Sequence, residues 1–421
     1  MSLNGDEKKK VKSVIGAIDI GTTKVVVTIG SFGEDGLEVI GVGTASNSGM
    51  RQGSVVNIDA TSKSIQKARE EAELMAGVVI DSVWISVGGP HIESFDSSGM
   101  VAINNGEIAQ GDIERVIEAA QAIAVPADRR VLHVLPSDFK VDKQGGITDP
   151  IGMSGVRLEA SVHIVTGNTS TLHNSVKCVE RVGLRVSGMV LQQLASARSI
   201  LSADEKNLGV AVVDMGGGTC DLVAFMQGSA VMTDVVPVGG NNFTHDIAMG
   251  LKTSQADAEV LKKKWGCALV AMTQPEESVQ VEGVGGRSSR EVARKNLASV
   301  IEARAEETLL LIRTALEKDD LLSKLGSGIV LTGGASQLNG LVEMGDFIFD
   351  VPVRLGVTTG IGGLKEIVRD PSFATSIGLL QYGWEQVSKS PELNSKVSKE
   401  ENNFMFSRLA RKMKDLLVGS D

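Results

Sequence analysis

One short turn occurs twice in this chain, and that repetition restricts the fold more than any other feature of the sequence. Ile18-Asp19-Ile20-Gly21-Thr22-Thr23 and Val213-Asp214-Met215-Gly216-Gly217-Gly218-Thr219 each end a β-branched run on an aspartate and turn through glycine, with the two aspartates 195 residues apart. The flanks match as well. Val14–Asp19, Val25–Ile29 and Leu37–Gly43 read as a three-stranded meander, followed by an amphipathic helix over Asp59–Ala76. Gly209–Asp214, Leu222–Met226 and Val231–Val236 read as a second meander, followed by a helix over Asn242–Leu251. A repeat on this scale predicts a duplicated α/β domain with a cleft between the copies.

Glycine at such turns has a chemical use. With no Cβ in the way, backbone N–H groups approach phosphate oxygens closely, and two facing hairpins can hold a di- or triphosphate from both sides. The aspartates that end the first strands, Asp19 and Asp214, are placed to hold Mg²⁺ through its waters, because that ion keeps much of its hydration shell. A third glycine turn, Ile329-Val-Leu-Thr-Gly-Gly-Ala-Ser336, follows a buried-strand pattern and is suited to a nucleoside. A lone Asp-Gly turn is ordinary loop chemistry. The ordered set of three carries the reading.

Between the repeats, roughly Ser86–Val162 differs in texture and is expected to form an inserted subdomain. It contains a helix expected over Asp112–Ala124, with Asp112 as its N-cap, and strands near Arg130–Leu135 and Val156–Ile164. From Asn241 to about Leu316 the chain reads as a mostly helical lid ending in one long charged helix, Ser289–Leu316. Glu385–Asn403 holds almost no large apolar side chain and reads as a solvated tether. Beyond it, Met405, Phe406, Leu409, Ala410, Met413, Leu416 and Leu417 share one helical arc, with Arg408, Arg411, Lys414 and Asp415 outside it. Such a segment either lies on a lipid surface or docks on the protein's own core. Four basic and two acidic residues between Asn403 and Asp421 favour the anionic-lipid reading.

Composition excludes other classes. A net charge of −10 and 3% aromatic residues give neither the electrostatics nor the stacking surface of a nucleic-acid binder. Three cysteines without paired spacing and five histidines without a constellation leave no disulfide framework and no zinc site. The basic start, MSLNGDEKKKVKS, is followed too soon by Asp19 for a signal-peptide core. No apolar run approaches the ~18 residues of a membrane span. A cytosolic protein with at most a peripheral membrane attachment is expected.

Together these segments resemble the actin–Hsp70–hexokinase superfamily, with Gly16–Lys24 and Val212–Asp221 as its phosphate motifs and Val330–Gln337 as its adenosine motif. The connecting-helix motifs match Leu191–Ala197 and Ala374–Leu380. The insert sequence Asp149-Pro-Ile-Gly-Met-Ser-Gly-Val-Arg-Leu-Glu159, followed by Val162-His-Ile-Val-Thr166, and the detached amphipathic C-terminus are similar to the FtsA family of bacterial cell-division proteins, from about Val14 onward.

That resemblance implies an α/β, actin-like two-lobed fold of duplicated ribonuclease H-like domains, with the insert in the first lobe. The implied divisions are 1–85 and 163–206 for the first core and 86–162 for the insert. The second core takes 207–240 and 317–384, the lid 241–316, the linker 385–403 and the membrane-targeting helix 404–419. It implies binding of ATP and Mg²⁺, self-assembly into an actin-like filament, and attachment of FtsZ to the cytoplasmic face of the inner membrane at the division site. It further implies recruitment of later division proteins. Nucleotide contacts then fall on Asp19, Gly21, Thr22, Thr23 and Lys24, on Asp214, Gly216, Gly217, Gly218 and Thr219, and on Gly333, Gly334 and Ala335. Glu259 and Lys262 are the candidates for ribose and base, and strand alternation leaves open whether Lys24 faces the cleft or solvent.

Gln192 falls where hydrolysing relatives orient the attacking water, and Asp214 is the other catalytic candidate. An amide can position water but cannot take its proton, so at most a slow Mg-dependent ATPase is expected. Gln192 also reads simply as a polar residue opening a helix. The basic run Arg287, Arg290, Arg294 and Lys295, with Arg304 on the same predicted helix, is either a solvated face or a dock for the acidic C-terminal peptide of FtsZ. Phe406, Leu409, Met413, Leu416 and Leu417 are the lipid-facing candidates. Two alternatives share the fold: a superfamily ATPase or phosphotransferase, and a PilM-like pilus-assembly scaffold.

Overall fold

Alternation along the central strands explains why each lobe is a sheet covered on both faces. In the computed structural model, which describes residues 13–33 and 36–389, strand β12 (Val210–Met215) is buried throughout. Its odd-numbered residues Ala211, Val213 and Met215 enter one core, and Val210 and Val212 enter the core on the opposite face. The first lobe's β1 (Ser13–Ile20) behaves likewise, sending Ile18 and Ile20 to one core and Ile15 and Ala17 to another. Neither strand can slip by one residue without exchanging both faces.

The chain builds the first lobe from β1, β2 (Lys24–Gly33), β3 (Gly36–Ser46), the short ladder β4 (Met50–Arg51) and β5 (Ser54–Val55), helix α1 (Ile58–Ala76) and β6 (Ser82–Val87). An antiparallel four-stranded sheet then interrupts it, made of β7 (Ile92–Ala102), β8 (Arg129–Val141), β9 (Gln144–Ile147) and β10 (Arg157–Asn168), with α2 (Gln110–Gln121) packed on β7 and β10. The lobe resumes with α3 (Thr169–Glu180), β11 (Arg185–Leu191), α4 (Gln192–Ile200) and α5 (Ala203–Leu208).

The second lobe consists of β12, β13 (Cys220–Met226), β14 (Ser229–Val236), α6 (Gly240–Gly250), α7 (Gln255–Trp265), β15 (Ser278–Val281), β16 (Arg290–Ala293) and α8 (Arg294–Leu316). β17 (Ile329–Thr332), α9 (Leu341–Phe349), β18 (Val353–Leu355), β19 (Gly362–Gly363), α10 (Lys365–Val368) and α11 (Ala374–Lys389) follow.

The two sheets share one topology. In the first, β3–β2–β1 is an antiparallel meander and β6 and β11 join it in parallel; in the second, β14–β13–β12 is the meander and β17 and β18 join in parallel; β19, late in the chain, adds a sixth strand to the first sheet beside β3 and has no counterpart in the second. The duplication expected from the two turns is therefore structural across five strands of each sheet.

Two helices cross between the lobes. α4 leaves the first lobe and buries Ala197 and Ile200 against Val212, Val223 and Val330 of the second. α11 leaves the second lobe and buries Ile377 and Leu380 against Ile15, Ala17 and Val26 of the first. They meet at Gly378, where a Cβ would stand 1.7 Å from the Ala195 carbonyl oxygen, so only glycine permits the crossing. Trp384 stacks on Phe32 with ring centroids 4.1 Å apart, which fixes the far end of α11 to β2.

Three local expectations are corrected. Asp112 is not the N-cap of α2; the helix starts after Ala109, and Asp112 lies inside it with its carboxylate accepting the Ala109 N–H at 2.9 Å. That helix also ends at Gln121 rather than Ala124. The long helix starts at Arg294, not Ser289, because Arg290–Ala293 pairs as a strand with Ser278–Val281. The lipid-facing candidates Phe406, Leu409, Met413, Leu416 and Leu417 lie outside the described residues, as do the tether and the helix expected at 404–419.

Candidate functional site

The two repeated turns are built by the same hydrogen bond. Gly21 N–H donates to the Lys24 carbonyl at 3.0 Å, and Gly216 N–H donates to the Thr219 carbonyl at 2.9 Å, each two residues after its aspartate. The turns face one another across the cleft. A Cβ on Gly217 would come within 2.4 Å of the Thr23 side chain, and one on Gly218 within 2.9 Å of Thr22 Oγ1. The N-terminus of α6 backs the second turn, with Gly240 N–H on the Gly216 carbonyl at 2.9 Å and Asn241 N–H on that of Gly217 at 2.8 Å.

Between the lobes lies a cavity of about 870 Å³. Asp19, Gly21, Thr22, Thr23, Lys24, Asp214, Gly216, Gly217, Gly218, Thr219, Glu259, Lys262, Gly333, Gly334 and Ala335 all line it, and so does Gln192. Lys24 turns inward: its Nζ donates to Ser372 Oγ at 2.7 Å and sits 4.6 Å from the centre of the Phe373 ring. Burial lowers its pKa, against the pull of Asp19.

The third turn closes on the second. Gly333 has φ +84°, and a Cβ there would approach Asp214 Oδ1 to 2.4 Å, so both conformation and space call for glycine. Opposite, Lys262 Nζ pairs with Glu259 at 2.7 Å and donates to the Gly240 carbonyl at 2.9 Å and Thr244 Oγ1 at 2.8 Å. Glu259 is held below the usual carboxylate range by hydrogen bonds from Lys262 and Thr244 that outweigh its burial.

Two buried carboxylates, Asp19 and Asp214, line the cleft, and a third, Asp221, lies buried behind them. Burial raises Asp19 to about 6, with the Ser86 hydroxyl bonded to it at 2.7 Å lowering it and Asp214 raising it. Burial raises Asp214 too, although Ser196, Thr375 at 3.0 Å and Gln192 all donate to it. Asp221 is raised to about 7 by burial and by Asp214, while accepting from Thr219 Oγ1 at 2.7 Å. Asp214 pushes the carboxyls of Asp19 and Asp221 upward, and Asp19 adds to the effect on Asp221. Among the described residues, no three His, Cys, Asp or Glu side chains converge as a direct metal cage.

Gln192 opens α4 beside Asp221: a Cβ on Gly88 would lie 3.0 Å from Gln192 Oε1 and 3.2 Å from Asp221 Oδ1. The amide can orient a water without taking its proton. Asp221 beside it is fully buried and accepts from Thr219 Oγ1 at 2.7 Å and from the Gly89 N–H at 3.3 Å.

Ser86, Ser196, Thr375 and Asp221 were not among the residues singled out from the sequence. Ser196 was findable, one helical turn beyond Gln192 on the same face. Asp221 was too, on the same strand face as Thr219. Thr375 lies within the Ala374–Leu380 motif, and Ser86 arrives from the end of β6 without a local signal.

The basic candidates separate. Arg294 lines the nucleotide-sized cavity, pairs with Glu277 at 2.6 Å and donates to the Trp265 carbonyl at 3.0 Å. Arg304 is held by Asp246 and Glu307. Lys295 is exposed. Among the described residues no helix is long and apolar enough to cross a membrane.

Comparison with known proteins agrees with this architecture. The family model described as cell division protein FtsA matches residues 211–378, and the one described as an SHS2 domain inserted in FtsA matches 89–166. The chain is 47% identical over 378 residues to the cell division protein FtsA of Pseudomonas aeruginosa, covering 90% of each. It is 41% identical over 382 residues to FtsA of Escherichia coli K12, covering 89% of this chain and 91% of that one. Among solved structures, the PilM–PilN type IV pilus biogenesis complex is similar with a TM-score of 0.63 at 16% identity, covering 88% of this chain and 98% of the other. MreB5 of Spiroplasma citri bound to ADP is similar with a TM-score of 0.54 at 13% identity, covering 89% and 97%. The fold is thus an actin-like α/β fold with an SHS2 insert, and nucleotide binds within that fold in MreB5.

Proposed function

The chain belongs to the FtsA family of cell-division proteins, and from that premise we propose that it is an ATP-binding membrane adaptor of the division machinery. ATP would lie between the two glycine turns, with its phosphates toward Thr22, Thr23, Gly217 and Gly218 and its nucleoside toward Gly333–Ala335, Glu259 and Lys262. Asp19 and Asp214 are the residues that would hold Mg²⁺, through its waters. When bound, the ion neutralises phosphate charge and relieves the crowding of the three carboxylates. The observation that supports this most is the convergence of all three turns on one cavity.

Nucleotide acts here chiefly as a structural and assembly ligand. Gln192 lacks basicity and Asp221 is largely shared with Thr219 and Gly89, which suits slow turnover. Self-assembly multiplies the weak lipid affinity of one amphipathic 404–419 segment into firm attachment through effective concentration. FtsZ is bound by its C-terminal peptide on the segment that carries Lys295, placing it at the cytoplasmic face of the inner membrane, where later division proteins join. The likeness to PilM–PilN, at 16% identity, extends to the fold alone.

Three measurements test the proposal. Titration with ATP and Mg²⁺ should saturate at one nucleotide per chain. Vesicle flotation should be lost on removal of residues 404–421, with nucleotide binding unchanged. A pulldown with the FtsZ C-terminal peptide separates the division role from a pilus scaffold. Turnover of several ATP per second would replace the adaptor reading with an enzyme, and unchanged flotation of the truncated chain would remove the membrane mechanism.

A further inference from the structure

Leu191, the residue that caps α4 and immediately precedes Gln192, sends its backbone N–H into the inserted sheet. The acceptor is His133 Nε2 on β8, at 2.9 Å. Both residues are buried, Leu191 fully and His133 to 9% exposure. Ile92 and Val165 of the insert pack with Leu191, joined by Leu132, Leu135 and Leu194, so the bond lies in apolar surroundings. Burial lowers the imidazole pKa to about 4, leaving it neutral near pH 7 with its proton on Nδ1 and a lone pair on Nε2. A second contact runs the same way. Gly89, at the root of the insert, donates its N–H to Asp221 Oδ1 at 3.3 Å, and Asp221 flanks Gln192 across Gly88.

We propose that His133 is a positioning residue for Gln192, through which the inserted four-stranded sheet sets the geometry of the water site. It rests on the reading that nucleotide occupies the cleft. The physical reason is that α4 has no side-chain cap of its own: Leu191 offers no oxygen to the first-turn N–H groups, so the direction in which the helix starts depends on where the Leu191 amide is held. Gln192 rides on the first residue of that turn. Ser196, one turn later, holds Asp214. A shift of the insert relative to the first lobe, such as a neighbouring subunit or a partner would impose, therefore reaches two groups of the cleft through one hydrogen bond. The apolar cluster around this bond gives the freed amide no substitute acceptor among its side chains.

The test uses the full chain and three variants. His133→Phe keeps ring bulk and removes the acceptor, His133→Asn keeps a polar group with too short a reach, and His133→Gln restores an acceptor of similar reach. Hydrogen exchange is followed in the nucleotide-free protein, affinity is measured with AMPPNP, and hydrolysis is measured in single turnover with ATP and Mg²⁺. In the Phe and Asn variants, exchange over Leu191–Ser196 should rise about tenfold, the scale of leaving one buried donor unpaired. Exchange over Gly21–Lys24 should not change. AMPPNP affinity should stay within about twofold while hydrolysis slows about tenfold, and the Gln variant should recover both. Unchanged exchange in Leu191–Ser196, an equal rise at Gly21–Lys24, or loss of AMPPNP affinity in step with hydrolysis overturns the proposal. Should the Phe variant not fold, the Asn and Gln pair gives the same comparison. Failure of the wild type to bind AMPPNP overturns the nucleotide reading alone, because the exchange measurement still decides for or against His133.

Discussion

Replacing Asp19 by Asn should stabilise the nucleotide-free protein, although it removes a candidate Mg²⁺ group. Burial raises this carboxyl from 3.8 to about 6. Between those values the folded chain binds a proton that the unfolded chain has released, so stability is greatest below pH 4, declines as pH rises through 6 and is flat above. At pH 8 the charge is held in the fold at a cost of about 3 kcal/mol, from 1.36 kcal/mol per pH unit. Asn keeps an oxygen for the Ser86 hydroxyl, which donates at 2.7 Å, and also relieves the charge on Asp214. Its new amide protons need partners in the cleft, so a gain of about 2 kcal/mol at pH 8 is expected, falling toward zero near pH 4. Urea unfolding of both proteins without nucleotide, at pH 4.5 and pH 8, reads the difference directly. The same melts with ATP and Mg²⁺ should invert the order, because the ligand stabilises the wild type more. A variant less stable than wild type at pH 8, or a difference independent of pH, would refute the carboxylate reasoning.

Other outcomes follow from single contacts. Gly333→Ala should cost stability by about 1–3 kcal/mol and weaken ATP binding at least tenfold, since its Cβ meets Asp214 Oδ1 at 2.4 Å and its φ is +84°; calorimetric titration and thermal melts check both. Lys262→Met should weaken ATP binding about tenfold, the loss of one charge-assisted hydrogen bond, while melting changes little because Glu259 keeps Lys263 at 3.2 Å. Lys295→Glu should weaken binding of the FtsZ C-terminal peptide without moving the melting temperature. Arg304→Ala should instead lower the melting temperature, because Asp246 on α6 loses its partner. ATP–Mg²⁺ affinity, followed by calorimetric titration across the acid range, should fall as pH drops through about 6 and Asp19 takes up its proton.

The turns were legible because their chemistry is local. An aspartate closing a strand and a glycine two residues later impose the same backbone hydrogen bond at Gly21 and at Gly216 wherever they occur. The meanders followed from strand periodicity, and the repeat made the shared topology readable without knowledge of either lobe's partners. What failed to show was set at long range. β16 is four residues of mixed charge whose strand character comes from pairing with Ser278–Val281. Lys24 has its direction decided by Ser372, 348 residues away. The run containing Arg294 and Arg304 read as a solvated face or a dock, whereas Glu277 and Asp246, distant in sequence, hold both side chains. Asp221 and Ser196 obeyed simple spacing rules, yet nothing near them marked a buried carboxylate cluster until Asp19, Asp214 and Asp221 were seen to lie together.

The last described helix has a mechanical consequence. α11 is contributed by the second half of the sequence but lies along the first sheet, with Trp384 flat on Phe32 and Tyr382 edge-on to Trp84. A pull on the C-terminal end of α11 therefore meets the first lobe first, as shear along an aromatic seam, while the other end of the same helix holds Asp214 through Thr375.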